Sequence, residues 1–443
     1  IRQCGEVQDS MELLELPGIS LDYLLKGLAG EEYRDDAVFQ ELYSWYLQSP
    51  EYRTLVKRLT EVSFSERPSD MIGKTVAGIL YGEVSPYSAT RLERFAACAF
   101  AHFLQYGLKV TERAEYEFRA MDMGNVMHMA LEKFAAEVRK EGLDWAELTE
   151  EERNRIIDSC LDQVSADYGN TILKSSARNE YMIERTRRIL RRTVWALQEQ
   201  LKHGAFRPEG FEVRFQGGRI DRVDIMEEPE NNRVYVKVID YKTGNTSFDL
   251  LALYHGLQLQ LMVYLDGALQ VEKRKYPDRE IVPAGVFYYN VKDPMIQEKI
   301  HADMESINEQ MLKKMKMNGL VQADDNMSTK IDSTMASIPV SLNRDGSFSK
   351  RSSVASRKQF DALGAYVRRK ICDIRESILD GNAAVEPYEL GKKNACTYCP
   401  YITVCGFDRK IPGYEFHRLS SIEEDALWKK IMKGEEENGS EMD

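Results

Sequence analysis

The period of the hydrophobic pattern changes near residue 210, and this change restricts the possible folds more than any other feature of the sequence. From residue 88 to residue 202 apolar residues recur at helical spacing. Three short β-branched segments then follow, separated by turn residues: GFEVRFQ, GRIDRVDIM and NRVYVKVIDYK. Next come a helical segment, FDLLALYHGLQLQLMVYLDGAL, a strand, VPAGVFYYNV, and two further helical stretches. This order predicts an α/β fold with one central sheet.

Capping signals and charge refine the prediction for the helical parts. Thr90 with Glu93, and Thr149 with Glu152, are spaced as capping boxes at two helix starts. Residues 1 to about 80 also have mostly helical periodicity but carry no motif. The acidic segment 434–443 is predicted to be a disordered tail.

Composition and the absence of long apolar segments exclude several protein classes. With 43% hydrophobic and 30% charged residues among 443, the chain is neither disordered, nor collagen, nor a bare coiled coil. No apolar stretch approaches the roughly 20 residues that cross a bilayer, and no secretory signal opens the chain. We therefore expect a cytoplasmic protein without membrane contact. The chain does not begin with Met, and we expect it to be part of a longer protein.

The net charge argues against a DNA-binding field over the whole surface. The 60 basic and 72 acidic residues give −12, so any nucleic-acid contact must be local. One candidate is a strip of arginines in ERTRRILRRTVWALQEQL, formed by Arg185, Arg187, Arg188, Arg191 and Arg192. A solvated helix face explains the same pattern at least as well. No segment fits a Walker nucleotide-binding motif, so we expect no ATP hydrolysis by this chain.

Three cysteines lie within ten residues, at positions 396, 399 and 405, in ACTYCPYITVCGFD. Seven cysteines in the whole chain are too few for a disulfide scaffold, so this cluster predicts a thiolate metal site. The alternative is a set of inert thiols. The spacing does not distinguish zinc from an iron–sulfur cluster.

A tetrahedral thiolate site needs a fourth ligand, and we favour Cys98. Cys160 and Cys372 lie in helical apolar patterns, where a buried thiol acts as a small hydrophobic side chain. Cys4 lies in an irregular terminus.

Two carboxylates and a lysine mark the ends of neighbouring predicted strands. Asp221 lies in GRIDRVD, and Asp240 and Lys242 lie in VIDYKTG. Alternation along a strand puts Lys242 on the same face as Asp240. The carboxylates could hold a hard divalent cation, and the ammonium group could stabilise negative charge on a phosphate. The alternative is a surface ion pair, which contributes about 0–1 kcal/mol.

Three further polar residues occur at informative places. Gln260 and Tyr264 are four residues apart, hence on one helix face, where they could position Lys242 or contact DNA. Their alternative role is a buried hydrogen-bonded pair. His128, in GNVMHMALE, could join carboxylates as a metal ligand, although a lone helix histidine more often has only a structural role.

Taken together, GNVMH, GRIDRVD, IDYKTG and QLMVY resemble the RecB-type nucleases of the PD-(D/E)XK superfamily. Cys98 with the three clustered cysteines resembles the iron–sulfur staple of the AddB branch of that family, and the resemblance covers roughly residues 80 to 410. It implies a restriction-endonuclease-like α/β core with one mixed central sheet flanked by helices. The implied domains are a helical remnant of a larger subunit (1–80), the nuclease domain (81–410) and a C-terminal extension with an acidic tail (411–443).

The resemblance also implies roles for individual residues. His128, Asp221, Asp240 and the backbone carbonyl of Tyr241 would bind Mg²⁺, and Lys242 would be catalytic. Gln260 and Tyr264 match the helix motif of the family. Many members have Glu where this chain has Asp240, but Asp is usual in this branch. The four ligands of a structural [4Fe–4S] cluster would be Cys98, Cys396, Cys399 and Cys405.

By this resemblance the chain is expected to be a Mg²⁺-dependent DNA exonuclease module. It would digest single-stranded DNA from unwound duplex ends during double-strand break repair and recombination, beside an AddA-type helicase subunit. One alternative is a DNA-binding or scaffold module with vestigial nuclease residues, against which the intact Asp221, Asp240 and Lys242 argue. Another is a stand-alone iron–sulfur exonuclease of the CRISPR-adaptation type, but those chains are much shorter.

Overall fold

The computed structural model describes residues 17–28, 37–63, 70–82, 88–113, 120–168, 176–296, 303–324, 326–411 and 413–439. The chain forms two compact units, residues 1–69 and 70–443. The helices described in the first unit are α1 (Pro17–Leu28), α2 (Ala37–Gln48) and α3 (Arg53–Ser63). They bury a small apolar core of their own, which includes Leu24, Leu42, Tyr46 and Val56.

The second unit begins ten residues before the predicted boundary at residue 80. The helix α4 (Lys74–Tyr81) belongs to it because Ala77 and Tyr81 are buried in its core. Its further helices are α5 (Ala89–Ala97), α6 (Ala99–His102), α7 (Ala120–Lys140), α8 (Glu150–Asp167), α9 (Ala177–Lys202), α10 (Leu250–Tyr254), α11 (Gln260–Lys275), α12 (Met304–Lys314), α13 (Met327–Ile331), α14 (Arg357–Leu379) and α15 (Glu424–Gly439).

A six-stranded mixed sheet forms the centre of the second unit, as the predicted α/β fold class requires. Its strands lie side by side in chain order: β1 (Arg207–Phe215), β2 (Gly218–Glu228), β3 (Arg233–Lys242), β4 (Glu280–Asn290), β5 (Asn318–Gln322) and β6 (Val354–Ala355). The pairs β1–β2, β2–β3 and β4–β5 are antiparallel, whereas β3–β4 and β5–β6 are parallel. The crossover between the parallel strands β3 and β4 contains α10 and α11, which places α11 over the centre of the sheet.

The strands β5 and β6 were not predicted from the sequence. They have five and two residues, too few for a period-2 pattern to stand out from the neighbouring helical segments. The helices predicted on either side of them are present as α12 and α14.

Helices cover both faces of the sheet. One apolar cluster contains α7, α8 and α9 with Tyr235 and Ile239 of β3, and the other contains α11, α14 and α15 with Val236 and Val238 of the same strand. Because β3 is buried on both sides, residues on both faces of its segment 234–239 are apolar, with Lys237 as the exception. None of the helices in the described part of the chain is long and apolar enough to cross a membrane.

A second, three-stranded sheet flanks the cysteine segment. It consists of β7 (Tyr388–Leu390), β8 (Lys393–Asn394) and β9 (His417–Arg418), and the segment with the three clustered cysteines connects β8 to β9. After this small sheet, α15 packs against the apolar cluster that contains α11 and α14, through the buried residues Leu427, Trp428 and Ile431. That helix continues to Gly439, so the predicted disorder of the tail is wrong at least that far; residues 440–443 lie outside the described residues.

Of the two predicted capping boxes, one is present and one is not. The Thr149 side chain accepts the backbone N–H of Glu152 at 3.2 Å, and the Glu152 carboxylate accepts that of Thr149 at 3.0 Å, at the start of α8. The box at Thr90 is wrong because α5 already begins at Ala89, with Ser88 before it. The Glu93 carboxylate instead accepts hydrogen bonds from the first residues of α11.

Candidate active site and cysteine cluster

Two carboxylates lie close together on the paired antiparallel strands β2 and β3, beneath α11. Asp221 Oδ2 accepts the backbone N–H of Tyr241 at 2.7 Å, which fixes Asp221 against β3. Asp240 is almost completely buried, and burial followed by the negative charge of Asp221 raises its pKa to about 6. Two buried carboxylates that repel each other are the arrangement that a divalent cation stabilises.

Lys242 is held beside Asp240 by a compact hydrogen-bond network. Its Nζ lies 2.6 Å from Asp240 Oδ2 and donates to Gln260 Oε1 at 2.7 Å. The amide group of Gln260 donates to Asp240 Oδ1 at 3.0 Å and to the Tyr264 hydroxyl at 2.8 Å. The ammonium group also lies 5.4 Å from the centre of the Tyr288 ring. Gln260 therefore fixes the acid, the lysine and the phenol relative to one another.

His128 reaches the site because α7 approaches the end of β3 closely. At Gly124, one turn before His128, a Cβ atom would lie 3.1 Å from Thr243 Oγ1, so a larger residue would push the helix away. His128 Nδ1 lies 3.4 Å from Asp221 Oδ2. Burial lowers the pKa of His128, but the Asp221 hydrogen bond and the charges of Asp221, Asp240 and Glu212 outweigh it and raise the pKa.

Glu212 is a site residue that the sequence reasoning missed. Ligand atoms of His128, Glu212 and Asp221 all lie within 4.8 Å of one another, and this is the one group of three such side chains among the described residues. Burial and the charge of Asp221 raise the pKa of Glu212 to about 7, although it pairs with Arg219. The sequence signal that could have identified Glu212 is the tight β1–β2 hairpin, because its register brings Glu212 opposite Asp221.

The structure brings together all six side chains predicted for this site: His128, Asp221, Asp240, Lys242, Gln260 and Tyr264. The Tyr241 side chain points to the other face of the sheet, where it contacts Arg222 and Tyr289. Its ring also forms an edge-on aromatic pair with His128, with ring centres 6.1 Å apart. The role of the Tyr241 backbone carbonyl as a metal ligand stays a prediction.

The four cysteines predicted as ligands converge although about 300 residues separate the first from the others. One small, mostly apolar cavity is lined by Cys98, Cys396, Cys399 and Cys405. None of the four forms a disulfide. Burial raises the pKa of Cys98, and burial and the neighbouring thiols raise that of Cys396 to about 11.

The other two cysteines in the described part of the chain, Cys160 and Cys372, do not line this cavity. Cys160 is buried, as predicted. Cys372 is exposed, so its predicted burial is wrong: it lies on the outer face of α14, whereas Val367 and Ile374 face the core. Cys4 lies outside the described residues.

Four of the five arginines in the strip on α9 pair with neighbouring carboxylates. Arg188 and Arg192 both pair with Asp293. Asp158 on α8 pairs with Arg187 and Arg191. The helix is present as predicted, and this pairing favours the solvated helix face over a strip that binds phosphates.

Residues 86–406 match the family described as the PD-(D/E)XK nuclease superfamily. A protein of Lachnoclostridium phytofermentans, named as the B subunit of an ATP-dependent helicase/deoxyribonuclease, is 39% identical over 438 residues, covering 94% of this chain and 38% of that protein. Proteins with the same name from Alkaliphilus metalliredigens and a Thermoanaerobacter species are 33% and 31% identical, covering 97% and 98% of this chain. The chain spans only 38% to 40% of the length of these relatives.

Proposed function

The chain belongs to the PD-(D/E)XK nuclease superfamily, and from that premise we propose that it is the Mg²⁺-dependent DNA exonuclease module of a helicase–nuclease complex. It hydrolyses phosphodiester bonds in single-stranded DNA that is unwound from duplex ends during double-strand break repair and recombination, in the cytoplasm. The observation that carries this proposal is the placement of Lys242 beside two crowded carboxylates, Asp240 and Asp221, at the end of the central strand.

The donor set around these carboxylates fits a hard divalent cation. We assign His128, Asp221, Asp240 and the backbone carbonyl of Tyr241 as ligands of Mg²⁺. Carboxylate and carbonyl oxygens are the ligands that this ion prefers. Glu212 adds a further carboxylate beside His128 and Asp221. When bound, Mg²⁺ supplies activation of water and neutralisation of charge on the scissile phosphate.

The side chains of the chain itself orient and stabilise the reacting groups. The Lys242 ammonium group is partly exposed beside the buried Asp240. It has three N–H donors, and the one not directed at Asp240 or Gln260 can reach a phosphate oxygen or the attacking water. Gln260 limits its motion by accepting one of those N–H groups. Tyr264 holds the other end of the Gln260 amide, so the lysine is already oriented before DNA binds.

The four convergent cysteines surround one small, mostly apolar cavity. None of them is tied up in a disulfide, and four cysteine thiolates are the ligand set of a [4Fe–4S] cluster. We propose a structural cluster that joins Cys98 to the segment between β8 and β9.

Delivery of the strand requires a partner. The chain carries −12 net charge, and four arginines of α9 pair with carboxylates, so little of its own field attracts DNA. The relatives carry the words ATP-dependent helicase in their names. We propose that the chain forms part of a larger subunit that works beside an AddA-type helicase subunit, which supplies the unwound strand.

Replacing Lys242 with Gln tests the proposed catalysis. The amide keeps much of the side-chain length but removes the charge, so we expect the rate of single-strand cleavage to fall about 100-fold with DNA affinity nearly unchanged. The measurement is release of labelled nucleotides from single-stranded DNA in Mg²⁺, compared with EDTA. Lys202→Gln, on the exposed face of α9, is the matched control and should cleave normally. The proposal would be contradicted if Lys242→Gln cleaved at the wild-type rate. It would also be contradicted if the folded wild-type chain bound Mg²⁺ and DNA without cleaving the DNA.

A further inference from the structure

The helix that carries Gln260 and Tyr264 begins without a capping side chain of its own. The residue before α11 is Leu259, which cannot accept a hydrogen bond from the first N–H groups of the helix. Glu93, on α5, supplies the missing acceptor from 166 residues away. Its Oε1 accepts the backbone N–H of Leu259 at 2.6 Å and that of Gln260 at 2.9 Å. A negative charge there also interacts favourably with the helix dipole.

Gln260, whose backbone N–H group bonds to Glu93, also organises the site through its side chain. The Gln260 side chain contacts Lys242, Asp240 and Tyr264. Displacing the first turn of α11 would therefore move the amide that orients both the acid and the lysine.

The segment before α11 also packs tightly against α5. Gly256 has φ +80°, and a Cβ there would lie 3.2 Å from the Ala96 side chain. The same helix α5 ends at Ala97, and the next residue is Cys98, whose backbone N–H donates to the Arg94 carbonyl at 3.1 Å. One short helix thus connects the cysteine cavity to the start of the active-site helix.

We propose that Glu93 is a positioning residue, which holds the first turn of α11 so that Gln260 keeps Lys242 and Asp240 aligned for the reaction. This inference rests on the proposed nuclease function. Burial raises the pKa of the Glu93 carboxyl group to about 7, although the N–H groups of Gln260 and Leu259 and the charge of Lys242 lower it. A half-buried carboxylate that bears this desolvation penalty fits a role in accepting the two backbone N–H groups better than one in filling space.

The test compares two substitutions of similar volume in the whole 443-residue chain. Glu93→Leu fills the buried space but accepts no hydrogen bond, whereas Glu93→Gln keeps an acceptor oxygen. We expect Glu93→Leu to speed amide hydrogen exchange at Leu259 and Gln260 at least about 10-fold and to lower kcat for single-strand cleavage at least about 10-fold, with KM within about twofold. Glu93→Gln should stay within about threefold of wild type in both measurements.

Phe95→Leu, a buried substitution on the same helix, is the control for loss of packing alone. It should lower the melting temperature without selectively speeding amide hydrogen exchange at Leu259 and Gln260. The inference would be overturned if the Leu259 and Gln260 amides of Glu93→Leu exchanged at the wild-type rate. It would also be overturned if Phe95→Leu and Glu93→Leu lost kcat equally. A wild-type chain that does not cleave DNA would refute the proposed function instead, while the exchange measurement would still decide whether Glu93 holds α11.

Discussion

Replacing Asp240 with Asn is expected to reduce single-strand cleavage by about 10⁴-fold while the protein stays folded. Asn keeps the shape of the side chain and can still bond to Gln260, but it removes the charge that the proposed cation needs. The loss is therefore in the chemical step, and DNA affinity should change little. The measurements are cleavage of labelled single-stranded DNA, DNA affinity and calorimetric titration with Mg²⁺, which should show weaker binding of the ion.

The control is Asp266→Asn, on the exposed side of α11. Asp266 pairs with Arg368 and takes no part in the network around Lys242, so its loss should leave cleavage and Mg²⁺ binding unchanged. Wild-type turnover in Asp240→Asn would show that the carboxylate is not part of the site.

Replacing Cys98 with Ser is expected to release the iron and to lower the free energy of unfolding by roughly 3–5 kcal/mol, as the loss of a cross-link over a long loop does. Cys98 is separated from Cys396 by almost 300 residues, so a shared cluster restrains the unfolded chain strongly. The anaerobically purified wild type should be brown, with broad absorption at roughly 400 nm, and the variant should be colourless. Iron analysis and denaturant unfolding give the two quantities.

The exposed Cys372 provides the matched control. Its replacement with Ser should retain the iron and change the free energy of unfolding by less than about 0.5 kcal/mol. A colourless wild-type protein with one zinc would refute the cluster, and a Cys98→Ser protein with full iron content and unchanged stability would refute the role of Cys98.

The sequence predicted most of the central architecture because its signals are local. The strands β1 to β4 are β-branched runs with turn residues between them, and the D-x-K spacing puts Asp240 and Lys242 on one face of β3 whatever surrounds it. The missed strands β5 and β6 are too short to carry a period. The exposure of Cys372 depends on which face of α14 meets the core, and that is set by tertiary packing rather than by the apolar residues nearby.

The two site residues that were missed, Glu212 and Glu93, depend on contacts between elements. Glu212 has φ 51°, an unusual conformation for a residue in a strand, and its relation to Asp221 follows from the register of a hairpin. Glu93 fits a local capping-box pattern with Thr90 as the N-cap, but the N-cap of α5 is Ser88, two residues earlier, and the Glu93 carboxylate instead bonds to the start of α11. Sequence spacing identifies a possible cap but not the helix that it caps.

The most direct test of the metal centre is a crystal structure of the protein soaked with Mn²⁺, which replaces Mg²⁺ and scatters anomalously. We expect one strong anomalous peak in contact with the carboxylates of both Asp221 and Asp240 and with the His128 ring, and no such peak in Asp240→Asn. If crystals soaked in saturating Mn²⁺ showed no anomalous peak at these carboxylates, the proposed metal centre would be contradicted, whether or not the ion bound elsewhere.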